Sequence, residues 1–426
     1  MPMWPSSQAP ALERVLSIHQ ENTGVAATQA ADAPATWLLL GEHVDYAGGV
    51  VLISQAAPRV AVAYSPRQDD LVKVTRYATG VDGISMTTDS VSIRDVAERA
   101  AEQQPTVDER GRLVVPPTPE GGLAARLSGI AWTMIHRQLL TRETAGMDVT
   151  VVDDIPQGAG LGAEAAQEAA FALALQGFAE GLDLAPTRTR LAEVCVQSAE
   201  MFAATPPLRA RYTCALRGSG ETISVIDYAD GSLTQAPLLQ TSGIDFFAIM
   251  APGTHTNADE EIRRRRRFLA TACQAFGTES LRLLPDAPQR VLEWLRAVHK
   301  VHGEADSPSL KEAGAWLSFH EEETLRARRL SQALRSRRLP AIWPLIAQSQ
   351  SELVGKYDLH GASELAQLCL ERGAQSARSA AAGSSTAVIT GVDKHHAANF
   401  AADLSADGLL VIKLEAGEVA GLAEIS

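Results

Sequence analysis

Three ionisable side chains fall within four positions of one short segment, residues 41–49. They are Glu42, His43 and Asp45. Apolar runs at 37–40 and 50–53 flank the segment, and each predicts a buried strand, so the three side chains are expected on a turn at a strand end. Carboxylate oxygens accept several hydrogen bonds, which suits a ligand rich in hydroxyl groups. A plain polar turn, bent at the two final glycines, explains the same residues without a ligand.

A glycine-rich loop follows a strand predicted at 147–152. It contains Gly158, Gly160 and Gly162 and leads into an alanine-rich helix predicted over 163–180. In such an arrangement backbone N–H groups and the helix N-terminus can bind phosphate. The loop lacks the Gly-Lys-Ser/Thr ending of a Walker A motif and the glycine spacing of a dinucleotide-binding fingerprint. An ordinary strand–helix turn is therefore the alternative interpretation.

The remaining pattern places these two segments in a mixed α/β chain. Strands dominate 36–90, and further strands are predicted at 222–227, 246–250, 387–390 and 409–412. Helices are predicted over 11–28, 92–104, 123–140, 186–204, 258–277, 286–300, 308–336, 339–353, 362–372 and 394–404.

Composition excludes several classes of function. The chain has 426 residues and a formal net charge of −13, which argues against a general nucleic-acid binder. The arginine run at 263–267 follows three acidic residues and is expected to form a solvated face. Four widely separated cysteines predict neither a metal cluster nor a disulfide framework. No apolar run approaches about 18 residues and no secretory signal is visible, so we expect no membrane span and a cytoplasmic location.

The segment 41–49 resembles the galactokinase signature Gly-Glu-His-Thr-Asp-Tyr-Asn-Gly-Gly and differs from it at Val44 and Ala47. Residues 156–161, Pro-Gln-Gly-Ala-Gly-Leu, resemble the phosphate loop of the same family, the GHMP small-molecule kinases. Weaker similarities occur at 199–202, 254–259 and 357–365.

The resemblance implies an α/β (α+β) fold with an N-terminal lobe at 1–215 and a C-terminal lobe at 216–426. Sugar and ATP would meet in the cleft between them, where the ATP γ-phosphoryl is transferred to the anomeric hydroxyl of galactose. It assigns Glu42, His43 and Asp45 to sugar binding. It assigns Gly158, Gly160, Gly162 and Glu164 to a degenerate phosphate loop.

The residues that would transfer phosphate depart from the family pattern. Thr36 replaces an arginine that stabilises the transferring phosphoryl group, and Arg211 falls where the family has its catalytic aspartate. An arginine cannot accept a proton at neutral pH. Residues 162–164, Gly-Ala-Glu, replace three serines, so a carboxylate faces the expected position of the triphosphate. After Arg378 a glycine-rich motif is reduced to one glycine within 381–386.

These departures favour a galactokinase-like pseudokinase, with a galactose-like sugar as ligand, a role as sugar sensor and no confident catalytic or metal-binding residue. The alternative is an active galactokinase or related sugar 1-kinase with rearranged groups, using ATP and Mg²⁺ and taking Glu164 or Asp154 as metal ligand. A third hypothesis keeps the signature only as a stabilising turn.

Overall fold

The computed structural model describes residues 4, 9–104, 106–107, 113–114, 116–144, 146–252, 258–305, 307–380 and 386–425. The similarity at 254–255 and most of the reduced glycine motif, 381–385, lie outside the described residues.

Strands form two main sheets and one short hairpin. Their bounds are β1 Gln29–Leu40, β2 Val50–Pro66, β3 Leu71–Gly80, β4 Gly83–Ser92, β5 Thr106–Val107, β6 Leu113–Val114, β7 Met147–Asp153, β8 Thr222–Asp227, β9 Ser232–Pro237, β10 Ile244–Met250, β11 Ser376–Ser379, β12 Ala387–Asp393, β13 Leu410–Lys413 and β14 Gly421–Leu422.

Helices pack on both sheets. Their bounds are α1 Ala11–Thr23, α2 Ile93–Glu102, α3 Leu123–His136, α4 Ala163–Leu175, α5 Ala185–Phe202, α6 Arg209–Arg217, α7 Asp259–Ala275, α8 Ala287–His302, α9 Leu310–Arg335, α10 Ile342–Gly355, α11 Ser363–Glu371 and α12 Lys394–Ala406. Within the described ranges, no helix is both long and apolar enough to cross a membrane.

The large sheet has the order β14-β1-β2-β7-β3-β4, with β8 and β9 joined to it through β2. The long strand β2 pairs with β8 over its first residues and with β7 over its last, so it links two parts of the sheet. The smaller sheet has the order β11-β12-β10-β13. Strands β8 and β9 follow residue 216 in the chain and still belong to the large sheet. The lobe boundary expected at 215/216 stays a prediction.

The core lies between the sheets and the helices that cover them. Trp37 on β1 contacts Phe246 on β10, with ring centroids 4.8 Å apart, which joins the two sheets. Nearly every side chain of α4 is buried. Its small alanines allow this helix to pack closely against β1 and β2, and this packing fixes the glycine-rich loop that precedes it.

The mixed α/β class predicted from the sequence is confirmed, and most elements lie within a few residues of their expected bounds. Helix α6 was not predicted, since its segment carries three arginines and no clear apolar stripe. The structure buries Ala210, Tyr212, Cys214 and Leu216 from this helix. Tertiary packing therefore forms α6 where the local pattern is weak.

Candidate functional site

The signature segment forms the turn between β1 and β2. After Leu40, Gly41 adopts a φ of 93°, and a short 3₁₀ turn spans Asp45–Ala47. The Gly49 N–H donates to the Val44 carbonyl at 2.7 Å, which closes the turn. The three predicted sugar-binding side chains lie in this turn, and each is only 1% exposed.

Glu42 belongs to a buried network of ion pairs. Its Oε2 accepts a hydrogen bond from Arg378 Nη1 at 3.1 Å, and both side chains are 2% exposed or less. Arg378 also donates through Nε to Ser349 at 2.9 Å and lies 3.6 Å from the Glu323 carboxylate. Glu323 in turn accepts the Gly41 N–H at 3.2 Å. The network therefore connects the signature turn to α9, α10 and β11.

Asp45 caps a helix that is distant in the sequence. Its Oδ2 accepts the backbone N–H of Arg209, the first residue of α6, at 2.6 Å. A carboxylate at a helix N-terminus is favourable because the orphan N–H groups and the helix dipole are positive there. Burial raises the pKa of Asp45, while Arg266, Arg209 and the N–H groups of α6 act against that shift. This carboxylate thus has a structural role as well as its predicted role in sugar binding.

His43 has a left-handed backbone, with φ at 67°, and its ring lies 5.1 Å from the ring of Tyr357. Burial lowers the pKa of His43 well below its usual value, and the nearby Arg378, Arg265 and Arg266 guanidinium groups lower it further. The imidazole is therefore neutral at physiological pH, with one donor and one acceptor nitrogen.

The arginine run on α7 contributes to this site, and its expected role as a solvated face is wrong for two members. Arg265 is 2% exposed and lies over the rings of Trp316 and Tyr357. Arg266 lies 4.8 Å from the Tyr46 ring centroid and donates to the Pro207 carbonyl at 3.2 Å. Aromatic rings from other elements take these cations out of solvent, which the local sequence does not reveal.

Several polar atoms in the signature turn and on the adjacent Arg378 have no hydrogen-bond partner among the described residues. They are Glu42 Oε1, His43 Nδ1, His43 Nε2, Asp45 Oδ1 and Arg378 Nη2. Leaving a buried polar group unpaired costs about 1–3 kcal/mol each. A ligand with several hydroxyl groups would supply both donors and acceptors to such a set.

The glycine-rich loop has three glycines with left-handed backbone angles. Gly158, Gly160 and Gly162 have φ values of 78°, 71° and 73°, a region that favours glycine. A Cβ on Gly162 would lie 2.8 Å from the Arg211 side chain and 2.9 Å from Thr36 Oγ1. The loop therefore approaches the two substituted family positions closely.

Arg211 fills the space beside Thr36. Its Nη1 donates to the Thr36 carbonyl at 2.6 Å and lies 3.2 Å from Thr36 Oγ1, and its Nη2 donates to the Gly160 carbonyl at 2.6 Å. Burial lowers the pKa of Arg211, while the Glu42 carboxylate acts against that shift. A guanidinium thus lies against residue 36 of β1, where the family resemblance leads us to expect an arginine, but here it comes from α6.

Glu164 and Glu168 project from the first turns of α4 towards Arg126 of α3. Arg126 Nη1 lies 2.9 Å from Glu168 and 3.6 Å from Glu164, and Glu168 also accepts the Tyr212 hydroxyl. Burial raises the pKa of Glu168 to about 7, although Arg126 and Tyr212 favour its charged form. Asp154, the other carboxylate considered for metal, bonds to Arg14 and to Thr79.

A cavity of about 580 Å³ opens beside the loop and α6. Its lining includes the carboxylates of Glu164, Glu168 and Asp259 and the guanidinium of Arg211, whereas none of the three signature side chains lines it. Over the described part of the chain, no group of three His, Cys, Asp or Glu residues could hold a metal. The charged groups of this lining are thus already engaged, Glu164 and Glu168 with Arg126 and Arg211 with two carbonyls. A triphosphate entering the cavity would also approach the Glu164 carboxylate, which would repel it.

Titration of Glu168 predicts an unusual pH dependence of stability. The pKa of Glu168 is about 7 in the folded state, against about 4.5 in an unfolded chain, so the folded state holds the proton between these two pH values. The resulting stabilisation is complete below about 4.5 and is lost as pH rises through about 7. Because glutamine resembles the protonated side chain, we expect Glu168→Gln to be close to the parent in stability at pH 5 and to exceed it, by up to a few kcal/mol, at pH 8.

Urea unfolding of both proteins at several pH values measures this difference. Glu371→Gln, on an exposed helix face, is the matched control and should give a curve parallel to the parent. Parallel curves for Glu168→Gln as well would contradict the prediction.

Sequence reasoning missed the buried group of Arg126, Gln167, Glu168 and Tyr212, in which Arg126 Nη2 also donates to Gln167 at 2.9 Å. A signal was present, since an arginine and a glutamate stand at core-facing positions of two otherwise apolar helices. Charged residues are almost never fully buried unless they are paired.

Two family models match parts of the chain. Residues 17–66 match the galactokinase galactose-binding signature, and residues 126–206 match the GHMP kinases N terminal domain. These segments contain the signature turn and the glycine-rich loop.

Curated galactokinases are similar to more than half of the chain. The Streptomyces coelicolor galactokinase is 27% identical over 257 residues, which cover 60% of this chain and 58% of that protein. The Homo sapiens galactokinase is 26% identical over 270 residues, 62% of this chain and 60% of that protein. The similarity thus spans less than two thirds of each relative.

Solved structures share the fold over nearly the whole chain. The Lactococcus lactis galactokinase complexed with galactose has a TM-score of 0.69 and 15% identity, over 97% of this chain and 100% of that one. The Methanococcus jannaschii mevalonate kinase has a TM-score of 0.56 and 10% identity, over 91% and 98%.

Proposed function

We propose that this chain, a relative of the galactokinases with the GHMP kinase fold, binds a galactose-like sugar at its signature turn without phosphorylating it. One observation carries the second half of the proposal. Arg211 extends from α6 to the Thr36 and Gly160 carbonyls, at the position where the family resemblance requires a carboxylate.

Phosphoryl transfer depends on positioning and charge stabilisation, with a carboxylate orienting the attacking hydroxyl and cations holding the phosphates. The Arg211 guanidinium has no acceptor atom, so it cannot orient a hydroxyl as a carboxylate does. Its bonds to two carbonyls also hold the guanidinium against β1 and the glycine-rich loop. The cavity carboxylate Glu168 is itself engaged by Arg126 and Tyr212. We therefore propose that ATP and Mg²⁺ are not cofactors of this protein.

Sugar binding is supported by the polar atoms of the signature turn and of the adjacent Arg378 that have no hydrogen bond among the described residues. These atoms belong to two carboxylates, a neutral imidazole and a guanidinium. Together they can accept hydrogen bonds from sugar hydroxyl groups and donate hydrogen bonds to them. The match of 17–66 to the galactose-binding signature supports the same assignment. Because the side chains are almost fully buried, the turn and α6 must separate for a sugar to enter.

The second candidate is that the signature turn only stabilises the fold and binds no sugar. Two contacts favour it. Asp45 caps α6, and Glu42 forms a buried ion pair with Arg378. Thermal unfolding with a panel of hexoses separates the two candidates. A sugar at a hundred times its Kd should stabilise the fold by about 2.7 kcal/mol. No shift with any hexose would favour the structural role.

Asp45→Asn tests the sugar assignment without removing the helix cap, since the amide oxygen still accepts the Arg209 N–H. We expect sugar affinity to fall about tenfold or more, because a charge-assisted hydrogen bond is lost. Asp230→Asn is the matched control, since Asp230 also accepts a backbone N–H, from Ser232 at 2.9 Å, but on an exposed turn. Equal losses in both variants would count against a sugar contact at Asp45.

A coupled assay for ADP release, with galactose and Mg-ATP, tests the absence of phosphorylation. We expect no release above the blank. Turnover that Asp45→Asn reduces would overturn the proposal in favour of an active sugar kinase, whereas turnover unchanged by that variant would identify a contaminating kinase.

A further inference from the structure

Helix α6 has a cavity on each side. Arg211 and Tyr212 face the cavity beside the glycine-rich loop. Arg209, Thr213 and Arg217, spaced at i, i+4 and i+8, line a second cavity of about 510 Å³. Helix α5, strand β8 and the turn between β8 and β9 complete this second cavity, which we call the back cavity. It shares no lining residue with the first one.

Two guanidinium groups of the back cavity, those of Arg209 and Arg217, form no ion pair with a carboxylate in the described part of the chain. Its two acidic lining residues are already paired, Glu193 with Arg137 at 3.6 Å and Glu200 with Arg266 at 3.3 Å. Arg217 is half-buried and has neither an ion pair nor a hydrogen bond among the described residues. A cation that is partly removed from water without a counter-ion is costly, so the site favours an anion.

Arg209 presents the second guanidinium in a fixed orientation. It lies 4.7 Å from the Tyr228 ring centroid, and Nη1 is 3.5 Å from the Asp45 carbonyl. Stacking on an aromatic ring leaves the edge donors of the guanidinium fork available. Planar forks of this kind bind carboxylate and phosphate oxygens bidentately.

The remaining lining residues suit the uncharged, hydroxylated part of a small organic molecule. Tyr46, Tyr228 and Ile226 supply ring and aliphatic surface, while Thr213 and Gln197 supply hydrogen-bonding groups. The volume lies within the range of sites for small organic molecules. We propose that the back cavity binds a small organic oxyanion, a phosphate monoester or a carboxylate on a hydroxylated body, with Arg209 and Arg217 as its anchors. The test below measures anion binding directly and does not require a sugar at the signature turn, although Tyr46 and Arg209 contact both regions.

Titration calorimetry tests this with three probes that share one hexose ring: glucose 6-phosphate, glucuronate and glucose. We expect one or both anions to bind and glucose not to bind. The ratio of the affinities for glucose 6-phosphate and glucuronate then shows whether the cavity prefers phosphate or carboxylate. Affinity should fall with added salt, because the contact is electrostatic. Inorganic phosphate should bind more weakly than the organic anion, since it lacks the hexose ring that would contact Tyr46 and Tyr228.

Arg217→Gln should weaken anion binding at least about tenfold, equivalent to about 1.4 kcal/mol. Arg217→Lys keeps the charge and should retain more of the affinity, which separates loss of the anchor from loss of the fold. Arg94→Gln, on an exposed face of α2, is the matched control and should bind like the parent. The proposal is overturned if neither anion binds at millimolar concentration, or if the parent and both Arg217 variants bind equally.

Discussion

Replacing Arg378 with methionine should destabilise the protein by about 3–5 kcal/mol, one of the largest effects expected from a single substitution in this chain. The guanidinium bonds to Glu42 and Ser349 and lies beside Glu323, with every charged partner 2% exposed or less. Methionine fills similar volume but leaves the Glu42 carboxylate buried without a cation. Urea unfolding of the parent and the variant measures the difference in free energy.

Arg372→Met is the matched control. Arg372 also forms an ion pair, with Asp407 at 2.6 Å, but both side chains are more than a third exposed. Such surface pairs contribute about 0–1 kcal/mol, so this variant should remain close to the parent. A similar small effect at Arg378 would show that Glu42 does not depend on its buried partner.

The double variant Glu42→Gln/Arg378→Met identifies where the cost arises. Glutamine removes the unpaired charge, so the double variant should be more stable than Arg378→Met alone, a coupling expected between residues in direct contact. If Glu42 were instead held mainly for a sugar, Glu42→Gln alone would weaken sugar binding without changing the effect of Arg378→Met. The cycle thus separates the two roles proposed for this signature residue.

The backbone of the site was predictable from local patterns, whereas its electrostatics was not. Apolar runs on both sides of 41–49 correctly placed the turn between two strands, because strand burial is a local property of the sequence. The glycine-rich loop before α4 was predictable for the same reason. The partners of Glu42 and Asp45 were not, since Arg378 and Arg209 lie 336 and 164 positions away along the chain.

Arg211 shows the limit most clearly. Alignment placed an arginine at the expected aspartate, which indicated a lost carboxylate but not the destination of the new cation. Only the packed structure shows that α6 carries the Arg211 guanidinium to the Thr36 carbonyl. Thr36 and Arg211, which look in the sequence like two independent losses of catalytic groups, therefore contact each other in the structure. For the arginine run on α7, the sequence predicted the helix but did not predict that Arg265 and Arg266 would be removed from solvent.

Gly41→Ala should prevent stable folding, with a loss of more than about 4 kcal/mol. The new Cβ would lie 2.2 Å from the Val50 carbonyl oxygen and 2.8 Å from Val51 Cα, both backbone atoms of β2. The φ of 93° adds strain for any residue with a side chain. Soluble yield and chemical unfolding measure the effect.

Gly24→Ala is the matched control. Gly24 also has a positive φ, 74°, but a Cβ there meets no atom within 4 Å. It therefore isolates the conformational cost, about 1–2 kcal/mol, from the steric cost at Gly41. If the two variants lost equal stability, the approach of the turn to β2 would not constrain it. A much larger loss at Gly41, in the absence of any sugar, would show that packing against β2 fixes the geometry that presents Glu42 and His43.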